Sequence, residues 1–158
     1  MRFSSALCLP RDALSVPFAR RVVRFSLTQL GVDAASVQDI EVALTEACTN
    51  VLRHAHGKGD EYEIEIAVDD LEASLTIKDT GHGFDHATLA KAHEQAPDLH
   101  LDLTEEGGRG IMLMRALVDA VEFTSAPEDG TIVHLTKAIS YPDDSMMARL
   151  ETSDRASA

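Results

Sequence analysis

The chain has 158 residues, 44% hydrophobic and 26% charged, ordinary values for one globular domain with a proper core. With 27 acidic against 14 basic residues the formal net charge is −13, which argues against a nucleic-acid-binding surface. No apolar run reaches the roughly 18 residues of a membrane helix, and a polyanion such as a nucleotide has to be held by backbone amides, a metal ion or a few local basic groups.

The N-terminal stretch MRFSSALCLPRD has an apolar patch broken at Pro10 and followed by charge. It is too short for a signal peptide, so a cytoplasmic location is expected. Residues 3–9 alternate weakly and read as an edge strand. In RDALSVPFARRVVRFSLTQLGV, residues Phe18, Val22, Val23, Phe25, Leu27 and Leu30 recur at helical spacing. Pro17 suits the first turn of this helix and Gly31 its end. A second helix is expected over 35–56, capped by Asp33 or Ser36 and closed by Gly57.

EYEIEIAVD (61–69) alternates strictly, with Tyr62, Ile64, Ile66 and Val68 on one face and Glu61, Glu63 and Glu65 on the other. That is a half-buried strand. DDLE turns the chain and ASLTIKD returns as the next strand. Residues 80–107 form a loop too long for mere connection, which points to function. GGRGIMLMRALVDAV then opens a helix on a glycine cluster, with Ile111, Leu113, Met114, Leu117 and Val118 on its apolar side. EFTSA and TIVHLTKAI make a last hairpin through PEDG. Periodicity fades near Ser140, so a single domain over 1–139 and a disordered tail over 140–158 are expected. The order βααββ, loop, αββ predicts an α+β two-layer sandwich, with helices on one face of a mostly antiparallel sheet.

Cys8 and Cys48 read as free, mostly buried thiols. Histidines cluster at His54, His56, His82, His86, His93 and His100. His54 and His56 are two apart and do not share a helix face, so surface or loop positions explain the cluster better than a metal site.

Three stretches carry chemistry. In IEVALTEACTNVLRHAHG (40–57), Ile40, Leu44, Ala47 and Val51 form one helical stripe, and Glu46, Asn50 and Arg53 form a second. Glu46 and Asn50, four apart, project together. An amide oxygen can ligate Mg²⁺, and a carboxylate can take a proton from an attacking hydroxyl; a solvated polar strip is the plain alternative. In SLTIKDTGHGFD (74–85), Leu75, Ile77 and Asp79 share one parity, so the carboxylate points toward the core. There it needs a partner, and the exocyclic amino group of a nucleobase fits, with glycines allowing close backbone approach. The plain alternative is a turn ending a strand. In EEGGRGIMLMRALVDA (105–120), glycines at 107, 108 and 110 precede a helix. Backbone amides at a helix start form an anion site, and Arg109 adds one positive charge; a merely glycine-rich helix start is the alternative.

In order and spacing, ExxxN on a helix, DxGxGF, a long loop and a GxG helix resemble the N, G1 and G2 boxes of the Bergerat-fold (GHKL) ATPases. Within that superfamily the chain is most similar to the anti-sigma-factor serine kinases of the RsbW and SpoIIAB type, over about residues 3–138. The resemblance implies an ATP-dependent protein kinase of ATP/ADP and Mg²⁺. It would phosphorylate a serine of an anti-anti-sigma (STAS-type) antagonist and sequester a sigma factor in transcription control of stress response or sporulation. It implies Glu46 as the general base and Asn50 as the Mg²⁺ ligand. It implies Asp79 as acceptor of the adenine amino group, with Gly81 and Gly83 beside the base and Thr131 supporting Asp79. Gly108, Arg109, Gly110 and Ile111 would cradle the phosphates, and residues 84–107 would be the ATP lid. A homodimer, with Arg20 on the first helix as a partner contact, is implied too; direct contact with nucleic acid or membrane is not. Asp79→Asn is expected to remove nucleotide affinity and leave the fold intact. The rivals are a non-catalytic Bergerat module that regulates by sequestration, a histidine-kinase catalytic domain and a stand-alone ATPase. The last two are set aside because 158 residues leave no room for their usual additional parts.

Overall fold

Strict alternation builds the middle of the sheet. In the computed structural model, which describes residues 2–54, 60–79, 106–126, 130–142, 145, 146 and 149, β2 (Glu61–Val68) and β3 (Glu72–Asp79) bury every second side chain. Between them Asp69 Oδ1 accepts the Leu71 and Glu72 amides, each at 2.9 Å, an Asx turn that fixes the register. β1 (Phe3–Pro10) pairs with β2, and the hairpin of β4 (Ala120–Ala126) and β5 (Gly130–Ala138) adds β5 to the far side of β3. The sheet order is β1-β2-β3-β5-β4, with every pair antiparallel.

Among the described residues three helices cover one face: α1 (Ser15–Leu30), α2 (Ala34–His54) and α3 (Glu106–Leu117). α1 buries Ala19, Val23, Leu27 and Leu30; α2 buries Ile40, Leu44, Ala47, Cys48 and Val51. They meet Ile64, Ile66, Leu75, Ile77, Val133 and Leu135 from the sheet. Each fully buried aliphatic contributes about 1.5–3 kcal/mol. The opposite sheet face is polar: Lys78 Nζ donates to Glu65 Oε1 at 2.6 Å, and Thr76 Oγ1 lies 2.9 Å from His134 Nδ1. The predicted α+β two-layer architecture is the observed one.

Gly31 ends α1 with φ 86°, and Val32 N donates to Leu27 O at 3.0 Å. Only glycine takes that φ readily. Of the two capping candidates for α2 it is Asp33 that acts, its Oδ1 accepting the Ser36 amide at 2.9 Å.

The helix read through Phe18–Leu30 forms, and within it Phe18 and Phe25 are 53% and 66% exposed: the Ala19–Val23–Leu27–Leu30 stripe takes the sheet side, and the two phenylalanines, seven apart, share the far side. Other expectations are corrected. Leu113 is exposed for the same reason, Met114 being the inward residue of its turn. α3 starts at Glu106, so the glycines lie within its first turns, and it stops at Leu117 because β4 begins at Ala120. Cys8 is exposed, on the outward parity of an edge strand, while Cys48 is buried. Of the tail expected over 140–158, the described residues are 140–142, 145, 146 and 149, and several of them touch the fold. Ser140 N and Oγ donate to Asp33 Oδ2 at 3.2 and 3.1 Å, and Tyr141 Oη donates to Asp69 O at 2.6 Å. Ser145 is buried against Gly31. The loop expected at 80–107 lies, up to residue 105, outside the described residues, as do Gly57 and the lid histidines.

Candidate functional site

α2 is the common wall of the site, because it packs on β3, β5 and α3. Its buried stripe sets its rotation, and that rotation leaves Glu46 and Asn50 half-buried and directed at α3. The facing residue is Gly110, buried in α3. A Cβ there would stand 2.7 Å from Glu46 Oε2 and 3.6 Å from Asn50 Oδ1. The carboxylate thus fills the space a side chain would take, and two sequence motifs 60 residues apart meet at one point. Arg109 beside it is exposed and Ile111 half-buried.

Asp79 closes the inward row of β3 and is 5% exposed. Its cross-strand neighbours are Tyr62 on β2 and Thr131 on β5, the latter also buried. Tyr62 Oη lies 2.7 Å from Ser15 Oγ, and Ser15 Oγ donates to Asp12 O at 2.7 Å. Burial pushes the Tyr62 phenol up to about 12 and the Cys48 thiol up to about 12. Both therefore stay neutral in the core. The carboxylate forms an ion pair with Arg11.

So Glu46, Asn50 and Gly110 come together, and Asp79 and Thr131 come together by register. Gly81 and Gly83 lie outside the described residues, and Gly108 is placed in the first turn of α3. Arg11 was not among the residues singled out from the sequence. A signal was present: an inward carboxylate at the end of β3 requires a partner, and Arg11 is the basic residue that directly follows β1, with β2 between the two strands.

A groove of about 780 Å³ runs between α1 and α2 and reaches Glu46. Arg20 and Arg24 line it, and both meet Glu41, at 3.4 and 3.2 Å. Among the described residues no group of three or more potential ligands forms a metal cluster. The donor set that does exist, hard oxygens of Glu46 and Asn50 beside the glycine-lined start of a helix, suits a magnesium–phosphate group.

Half-buried oxygens of α2 thus face the start of α3, and a buried carboxylate closes β3. Comparison with known proteins gives the class of the domain: the description "Histidine kinase-like ATPase domain" matches residues 9–137. The chain is 32% identical over 127 residues to an anti-sigma F factor of Oceanobacillus iheyensis, covering 78% of this chain and 84% of that protein. It is 29% identical over 137 residues to a serine-protein kinase RsbW of Staphylococcus aureus, covering 83% and 84%. A structure of the RsbU and RsbW domains of a Mycobacterium tuberculosis protein superposes with TM-score 0.66 at 18% identity, over 89% of this chain and 33% of that one. The SiaB-SiaC complex of Pseudomonas aeruginosa gives TM-score 0.58 at 14% identity, over 84% and 88%. The chain belongs to the histidine kinase-like ATPase family.

Proposed function

We propose that this protein is an ATP-dependent serine-protein kinase and anti-sigma factor. It phosphorylates a serine of a STAS-type anti-anti-sigma antagonist and sequesters a sigma factor. The observation that carries this reading is the contact of Glu46 and Asn50 with the Gly110 position. In this reading Glu46 is the proton acceptor and Asn50 the metal ligand, both beside the start of α3.

The α3 amides, from Gly108 through Ile111, and the Arg109 guanidinium hold the phosphates, which meets the requirement set by a net charge of −13. Asp79, buttressed by Thr131, accepts from the adenine amino group. Mg²⁺ held by Asn50 would supply charge neutralisation across the phosphates. Glu46 orients the serine hydroxyl and takes its proton as the serine oxygen bonds to the γ-phosphorus and the bond to ADP breaks. Glu46 is among the residues that line the α1–α2 groove, so a protein seated there brings its serine toward Glu46, with Arg20 and Arg24 on the approach. The kinase unit is residues 1–139, acting in the cytoplasm as a homodimer, without direct contact to nucleic acid. No helix among the described residues is long and apolar enough to cross a membrane.

Labelled ATP, Mg²⁺ and the cognate antagonist test the reading. Glu46→Gln is expected to slow phosphate transfer by about 10²-fold or more, the usual contribution of a general base. Transfer at the wild-type rate refutes the assignment.

A further inference from the structure

Arg11 is a residue the phosphoryl-transfer chemistry does not require. It follows β1, where its amide donates to Asp60 O at 2.8 Å, and its guanidinium turns inward to the Asp79 carboxylate. The two side chains are 11% and 5% exposed, and Arg11 Nε and Nη2 are shut off from solvent. An exposed pair of this kind would contribute little. A buried one is different, because removing either partner strands a charge.

The guanidinium resembles the group that Asp79 is proposed to recognise. It is planar and delocalised, and it presents N–H donors in one plane to a carboxylate. The amino edge of adenine does the same. Both donors therefore seek one acceptor from the helix side of the sheet. Arg11 can yield without any strand or helix moving, since it sits on the short connection 11–14 and has a long, flexible side chain that can carry its charge to water.

We propose that Arg11 is a further residue of the base subsite: it competes with adenine for Asp79 and so sets the affinity for nucleotide. The inference rests on the assignment of Asp79 as the adenine acceptor. Its consequence follows from population arithmetic. The apparent dissociation constant is the intrinsic one divided by the fraction of molecules whose carboxylate is available. A guanidinium that holds Asp79 nine-tenths of the time weakens binding about tenfold.

Calorimetric titration of the full chain with ATP and, separately, with inorganic tripolyphosphate tests this. Arg11→Ala and Arg11→Gln are expected to bind ATP about tenfold tighter than wild type, with tripolyphosphate affinity unchanged. The wild-type protein offers a readout that needs no variant to fold: the Arg11 Nε–H resonance is expected to shift with ATP and stay in place with tripolyphosphate. Wild-type binding of ATP with no gain in Arg11→Gln, or with an unmoved Arg11 resonance, overturns the competition alone. Absence of ATP binding in wild type and in both variants overturns the nucleotide assignment, and the competition with it.

Discussion

Gly110 and Glu46 share one volume across the α2–α3 contact: a Cβ on the glycine would stand 2.7 Å from Glu46 Oε2. The atom it meets is the far end of a flexible side chain rather than backbone. Gly110→Ala therefore displaces the carboxylate without driving the helices apart.

Stability and activity should part company in that variant. Alanine is the better helix former by about 1 kcal/mol, so thermal stability is expected to hold or rise. Displacing a reacting group by an ångström can reduce rate about 10²-fold, so phosphate transfer is expected to fall by up to that factor. A melting curve and a transfer assay on the same preparation check both signs. A lower Tm with unchanged transfer would mean that Gly110 serves packing alone.

Asp79→Asn now carries a second consequence. The sequence alone leaves the fold untouched by this change. The Arg11 pair alters that expectation, because neutralising Asp79 strands the buried guanidinium. Breaking a buried pair from one side costs about 3–5 kcal/mol; with Arg11 able to turn toward water, the lower end of that range is expected. Arg11→Gln combined with Asp79→Asn should recover much of the loss, since both charges are then gone. Urea unfolding of the wild type, both single variants and the double variant completes the cycle. Additive losses would show that the pair is not coupled.

Period and parity carried most of this fold into view. Strict alternation in 61–68 and 73–79 sets β2, β3 and the inward direction of Asp79, because a strand has no other way to place its side chains. The helical stripe through Ile40, Leu44, Ala47 and Val51 sets where Glu46 and Asn50 point. Periodicity could not rank two apolar sets on one helix. Phe18 and Phe25 fit α1 as well as Ala19 and Val23 do, and the sheet chose the smaller set. Nor could local pattern show contacts between distant segments. Arg11 with Asp79, Gly110 with Glu46, and Ser140 with Asp33 each span more than 60 residues, and only the sheet register and helix packing join them.

Asp33 gives the fold a pH dependence with a defined sign. Burial pushes its carboxyl upward, but hydrogen bonds from Ser36 and Ser140 outweigh that and bring it down to about 2. The folded value thus lies below the unfolded one near 3.9. A depressed carboxyl stabilises above its unfolded pKa, and that stability is lost as pH falls through the folded pKa. The contribution is therefore complete above about pH 5 and drains away between 4 and 2. Asp33 both starts α2 and holds the chain after β5, so Asp33→Ala is expected to cost about 1–2 kcal/mol at pH 7, the upper part of the range for a lost helix cap. Urea unfolding of wild type and variant from pH 7 to pH 3 should show the gap narrowing below pH 4. A gap that stays constant to pH 3 would mean that the charge on Asp33 is not what stabilises this junction.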